Sequence, residues 1–264
     1  MKNKTLMKRL LFGPLTVLVI LILINVGYRV YKEYSYTDTE NVSATETTHN
    51  TEDATHNTEP TNAVPFDLSA IPTYTDSPYY AVNNNYPFFQ ADELVSETYY
   101  RFSDLDSLGR CGVATACVGI DGFPTEERGY IGMVKPSGWH TVRYDDLIKD
   151  KYLYNRCHLI AYSLSGENAN KKNLITGTRY LNIEGMLPFE NQVHNYIEDT
   201  GNHVMYRVTP IYDGDNLVAS GVLMEGYSVE DNGEGICFNV FCYNVQPHIV
   251  IDYKDGSSRA DTGS

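Results

Sequence analysis

The sequence predicts a mixed α+β domain whose strands pair into a central antiparallel sheet. Along residues 204–212 apolar side chains alternate (Val204, Tyr206, Val208), which is the period of a strand with one buried face. Asp213-Gly214-Asp215-Asn216 reads as a hairpin turn, residues 217–229 as the next strand, and Asp231-Asn232-Gly233 as a second turn before a third strand at 236–245. Short turns join strands that run in opposite directions. Just upstream the period changes: Phe189, Val193 and Ile197 recur every four residues, Pro188 suits a first helical position, and Gly201 supplies a stop.

From the amino terminus, residues 1–9 carry Lys2, Lys4, Lys8 and Arg9 and form a basic tail. The stretch from Leu10 to Val26 is apolar apart from Gly13-Pro14, Thr16 and Asn25. At about 1.5 Å per residue it just reaches across a bilayer core. A cleaved signal peptide has similar length, but residues 24–28 (Ile-Asn-Val-Gly-Tyr) offer no good small-x-small cleavage site, so residues 10–28 are expected to stay as an anchor. The positive flank keeps the tail in the cytoplasm and places the rest outside the cell. Residues 29–65 are rich in Thr, Glu and Asn and repeat Thr-His-Asn-Thr-Glu at 48–52 and 55–59. So few apolar groups cannot offset chain entropy, and a disordered stalk is expected, with His49 and His56 as spacer rather than metal ligands. Residues 66–254 form one domain, of a length suited to a single core, and 255–264 a flexible tail.

The chemistry concentrates at residues 152–190. Hydrolysing a phosphodiester takes a base for water, a divalent cation for developing negative charge and a fixed cation on the phosphate. An imidazole with an ordinary pKa near 6.5 can serve as the base, and His158 stands beside Arg156, whose planar guanidinium stays charged. Asn182 offers a neutral amide oxygen to Mg²⁺, with Mn²⁺ as the alternative ion; such hard ions keep most of their waters and need few protein ligands. Glu190 would orient metal-bound water, although a carboxylate in a helix's first turn is also favoured by the helix dipole alone.

These residues resemble the DNA/RNA non-specific endonucleases, whose active site is a ββα-metal finger with the signature Asp-Arg-Gly-His. The match here is Asn155-Arg156-Cys157-His158, followed by Lys172-Asn173-Leu174, Leu181-Asn182 and Glu190. It extends from Asp104 (Asp-Leu-Asp-Ser-Leu-Gly-Arg) through Gly138-Trp139 to Asp252-Tyr253. The resemblance implies His158 as general base, Asn182 as holder of a single Mg²⁺, Glu190 as support for its water shell, and 5′-phosphate ends on cut DNA or RNA. Asn173 braces the loop or the metal waters, and Arg128 corresponds by position to an upstream phosphate cation. Two signature residues differ: Asn155 removes a charge, and Cys157 adds a side chain where close backbone approach matters.

Net charge argues against a polyanionic substrate only at first sight. The chain has 34 acidic and 20 basic residues, yet residues 128–179 hold nine Lys or Arg against four Asp or Glu. Phosphate contacts from this stretch would be sequence-independent and salt-sensitive. Five cysteines lie in the domain, none in a Cys-x-x-Cys pair, which disfavours structural zinc. Cys157 and His158 are adjacent in a strand and face opposite ways, so Cys157 is expected to be a packed residue rather than a nucleophile. Most of the 22 tyrosines belong to sheet and core, and Trp139 to a loop anchor. The sequence therefore predicts a membrane-anchored extracellular nuclease acting on DNA and RNA. Its rival is a surface module that binds nucleic acid and has lost turnover through the altered signature; a secreted toxin is disfavoured by the anchor.

Overall fold

Alternating apolar residues organise the chain in the computed structural model, which describes residues 66–263. Its elements in chain order are β1 (Tyr79–Ala81), β2 (Tyr99–Phe102), β3 (Ala114–Val118), β4 (Tyr154–His158), α1 (Tyr162–Ser165) and β5 (Leu174–Thr178). A π-helical turn (Leu181–Met186) leads into α2 (Leu187–Thr200), followed by β6 (Val204–Ile211), β7 (Gly221–Ser228), β8 (Cys237–Tyr243), β9 (Ile249–Ile251) and β10 (Ser258–Ala260). Six strands form a sheet in the order β1-β8-β7-β6-β3-β2, every neighbouring pair antiparallel. The expected tail, anchor and stalk of residues 1–65 lie outside the described residues, and among the described residues no helix is long and apolar enough to cross a membrane.

One sheet face holds Val204, Tyr206 and Val208 with Val222, Met224, Phe238 and Val240, packed in one core with Phe189, Val193 and Ile197 of α2. The other face is covered too. Phe66, Leu68, Ile71 and Tyr74 lie over Leu223, Phe241 and Tyr243, while Phe89 and Leu94 lie over Cys117, Met205 and Tyr227. Burial on both sides is why all eight residues of β7 are buried. The covering strap is pinned by charge. Arg207 of β6 faces Glu225 of β7 across the ladder, its Nε 2.7 Å from one carboxylate oxygen and an Nη 3.0 Å from the other. The Phe88 amide donates to the same carboxylate at 2.7 Å, Glu93 meets a further Nη at 3.1 Å, and the Phe89 ring lies 4.5 Å under the guanidinium.

Three local expectations change. The second strand begins at Gly221 rather than residue 217, because the amides of Leu217 and Val218 donate instead to the carbonyls of Lys254 and Tyr253. Within the stretch read as a tail, Ser258–Ala260 pairs with β9, whose open edge supplies hydrogen bonds that serine and arginine do not advertise in sequence. Pro188 falls in the first turn of α2 as expected, but helical backbone begins earlier than it, in the π-helical turn that leads into α2. Proline has no N–H to donate and its ring crowds the carbonyl four residues back, so the wider turn just before it relieves both problems. Gly201, at φ 72°, ends the helix as predicted, its amide bonded to the Ile197 carbonyl.

Candidate active site

β4 and β5 form an antiparallel pair in which Arg156 faces Thr176 and His158 faces Leu174. His158 ends β4 and is only 7% exposed. Its Nε2 lies 2.8 Å from the carbonyl of Asn168. A carbonyl can only accept, so Nε2 carries the hydrogen and Nδ1 is left with the lone pair. Burial lowers the His158 pKa to about 4, the Arg128 charge pushes the same way, and the Asn168 and Glu167 carbonyls oppose both. The imidazole is therefore neutral at pH 7.

The backbone just after His158 is clamped by Asn173, which is fully buried. The Asn173 Oδ1 accepts from the Ile160 amide at 2.8 Å and its Nδ2 donates to the Ile160 carbonyl at 2.9 Å, while its own carbonyl accepts from Leu159 at 2.8 Å. Arg156 is committed to the fold. Its Nε donates to the Val134 carbonyl at 2.5 Å and an Nη to Gly132 at 2.8 Å, and its guanidinium stacks 4.0 Å above the Trp139 ring. Arg128 differs: it is exposed, and it makes no hydrogen bond or ion pair among the described residues while its charge acts on both His158 and Cys157.

Asn182 lies on the π-helical turn, where its carbonyl accepts from the Leu187 amide, and Glu190 lies in the first turn of α2. That turn is tied to β5 by the Leu181 amide, which donates to Thr178 Oγ1 at 2.9 Å. β5 carries the chain away from His158 by roughly 13 Å, and Glu190 follows Asn182 by eight helical steps, about 12 Å along the helical segment. The Glu190 charge acts on the Cys157 thiol next to His158, which places it within electrostatic reach of that strand end. Among the described residues no group of three or more His, Cys, Asp or Glu side chains is placed to hold a metal. No closed zinc cage is built among them; an amide oxygen such as that of Asn182 suits a hard cation that keeps most of its waters.

Cys157 is fully buried in the main core and its thiol pKa is pushed up, first by burial and then by Glu190. Its sulfur occupies the space a Cβ would need at Gly177, the glycine on the neighbouring strand. The side chain that the signature lacks is thus accommodated by a missing one on β5, and the sulfur is packed rather than nucleophilic, as the sequence predicts. All five cysteines are free.

A β-hairpin carrying a buried histidine, followed by a helix carrying Asn182 and Glu190, is the arrangement the sequence resemblance implies. A family model described as DNA/RNA non-specific endonuclease matches residues 91–230, more than half of the chain. The chain belongs to that family. It is a hydrolytic nuclease of α+β fold, and its substrates are nucleic acids. Its structure is similar to that of NucA from Streptococcus agalactiae with a magnesium ion bound, at 27% identity and a TM-score of 0.62, covering 71% of this chain and 88% of that one. NucA with no metal bound matches equally well, at 27% identity and a TM-score of 0.62 over 73% and 92% of the two chains. Sda1 nuclease, solved with a bound zinc ion, shares the fold at 24% identity and a TM-score of 0.59 over 70% and 96%. No curated protein matches the sequence.

Two contributors to the nuclease site left no readable signal. Asn168 fixes the tautomer of His158 through a backbone carbonyl, which any residue type could supply. Asn244, fully buried, accepts from the Thr178 amide and donates to the carbonyls of Thr176 and Ala219, holding β5 to the large sheet. In sequence it is one asparagine at a strand end.

Proposed function

We propose that the nuclease cleaves phosphodiester bonds of DNA and RNA with little sequence preference, with His158 as general base and one Mg²⁺ or Mn²⁺ held by Asn182. The observation that carries this reading is the state of His158: neutral at pH 7, with Nε2 tied to a carbonyl and Nδ1 left basic. Nδ1 takes the proton from the attacking water. Asn182 presents its amide oxygen to the ion, and Glu190 orients the ion's waters. The bound ion supplies positive charge where negative charge develops on the phosphate. Arg128, exposed beside His158, holds the phosphate. Arg156 acts through shape, since its Nε and one Nη already serve backbone carbonyls. By the family resemblance, the products carry 5′-phosphates.

The anchor read in residues 10–28 would hold the nuclease at the outer face of a membrane, with residues 29–65 as its tether; the support for this is sequence alone. Cell fractionation with surface protease treatment tests it, and recovery in the cytosol rejects it.

The activity test is plasmid and RNA cleavage by the full chain with Mg²⁺, with EDTA, and with His158→Ala and Asn182→Ala in parallel. Cutting should require the metal and fall by at least about 100-fold without the imidazole. Asn182→Ala should raise the Mg²⁺ requirement or abolish cutting. A folded protein that binds nucleic acid without cutting it would replace this reading with the impaired-module one, through Asn155 and Cys157.

A further inference from the structure

The loop before Lys135 carries two exposed apolar side chains within five residues of Arg128. Tyr130 is 73% exposed and Met133 63%, the two highest exposures of any large apolar side chain among the described residues. The loop that presents them is fastened along its length. The Tyr162 hydroxyl donates to the Glu126 carbonyl at 2.8 Å, and Gly129 sits so close to Asn168 that a Cβ would come within 2.7 Å of its amide nitrogen. Arg156 grips the carbonyls of Gly132 and Val134, and Val134 is itself buried. The Tyr130 ring lies against Gly132 so closely that a Cβ there would overlap it. One part of the ring thus rests on a fixed backbone while most of it faces solvent, and its hydroxyl has no hydrogen-bond partner among the described residues.

Two residues earlier in the same loop stands Arg128, whose charge reaches His158. Two residues of chain span at most about 7 Å, which is one to two nucleotides along a strand. We propose that Tyr130 is a stacking platform for a nucleobase flanking the phosphate held at Arg128, with Met133 extending its apolar surface. The proposal rests on the nuclease reading for its ligand. A ring already held in place loses little freedom on binding, and every base offers a π-face, so the contact gives grip without sequence preference.

The test uses the full chain in EDTA at low salt, with single-stranded oligonucleotides carrying 2-aminopurine, read by fluorescence quenching and by anisotropy. Tyr130→Ala should weaken binding by about tenfold and remove the quenching, while Tyr130→Trp should keep both within about twofold. Gly132→Ala, which displaces the ring without removing it, should weaken binding in the same direction. An oligonucleotide with abasic sites should bind wild type and Tyr130→Ala equally. Unchanged affinity and quenching in Tyr130→Ala would overturn the platform, as would absence of quenching by the wild type. The two readings separate because binding is read without turnover. Tyr130-dependent quenching by a protein that cleaves nothing keeps the platform and removes the nuclease mechanism, and cleavage with Tyr130-independent quenching does the reverse.

Discussion

The surroundings of His158, the proposed general base, oppose its protonation. Burial and then the Arg128 charge hold its pKa near 4, so the base stays neutral through the ordinary pH range and activity should fade only in acid. Removing the nearby positive charge makes protonation easier. Arg128→Gln should therefore move the acid limb of the kcat/KM profile to higher pH, as well as weakening substrate binding; an unmoved limb would mean that the Arg128 charge does not reach the base. Cys157 is a packing residue by the same kind of argument. Cys157→Gly should retain turnover while lowering stability by about 1–2 kcal/mol for the cavity opened beside Gly177, measured by denaturant unfolding alongside cleavage. Complete loss of turnover would assign the sulfur a role that packing does not explain. Readable in the sequence were the residue types of His158, Asn182 and Glu190 and their placement on a strand and the helix that follows. The Asn168 contact was not, since a backbone carbonyl has no residue type.

At the level of elements, the hairpins of the large sheet and the end of α2 were legible from period and turn chemistry. Asn232 and Gly233 at φ 56° and 82° make the turn that their types imply. The π-helical turn was hidden, because the same Pro188 that suits a helix start is also accommodated inside a helix once the preceding turn widens. Hidden too was the strap on either side of β1, residues 66–74 and 88–94, whose aromatic residues follow no period because they fit an existing sheet surface rather than build one. Its anchor makes a test. Glu225 is fully buried; burial works against the Arg207 charge, but the hydrogen bond and charge of Glu225 together with the Glu93 charge raise the Arg207 pKa. Glu225→Ala would leave that guanidinium with Glu93 as its remaining carboxylate and remove the acceptor of the Phe88 amide. The expected cost is about 3–5 kcal/mol, seen as a lower midpoint in denaturant, with the strap becoming sensitive to protease first. A change under about 1 kcal/mol would mean that the pair is not what pins the strap.

Across the whole molecule, charge is divided by position. The chain carries a formal net charge of −14, yet the segment that builds the site is basic, and Arg128 is its cation closest in effect to the base. Few phosphates are then neutralised on binding. The logarithm of affinity should fall with the logarithm of salt at a slope of about −1 to −2, measured by anisotropy in EDTA; a slope steeper than about −4 would reveal a much wider basic footprint. Composition concealed this division, since a sum over the chain averages acidic and basic stretches.

The five free thiols matter most when the fold is lost. Packed as they are, four of them buried, they neither hold the native state together nor depend on its redox surroundings, so a reductant should leave the melting temperature unchanged. An unfolded chain has no such protection: its thiols become reactive together, and wrong cross-links compete with return to the native state. Thermal unfolding should therefore reverse in the presence of dithiothreitol and become progressively irreversible in air, a contrast that repeated calorimetric scans would reveal. Outside a reducing compartment the molecule's lifetime is then set by how seldom it opens.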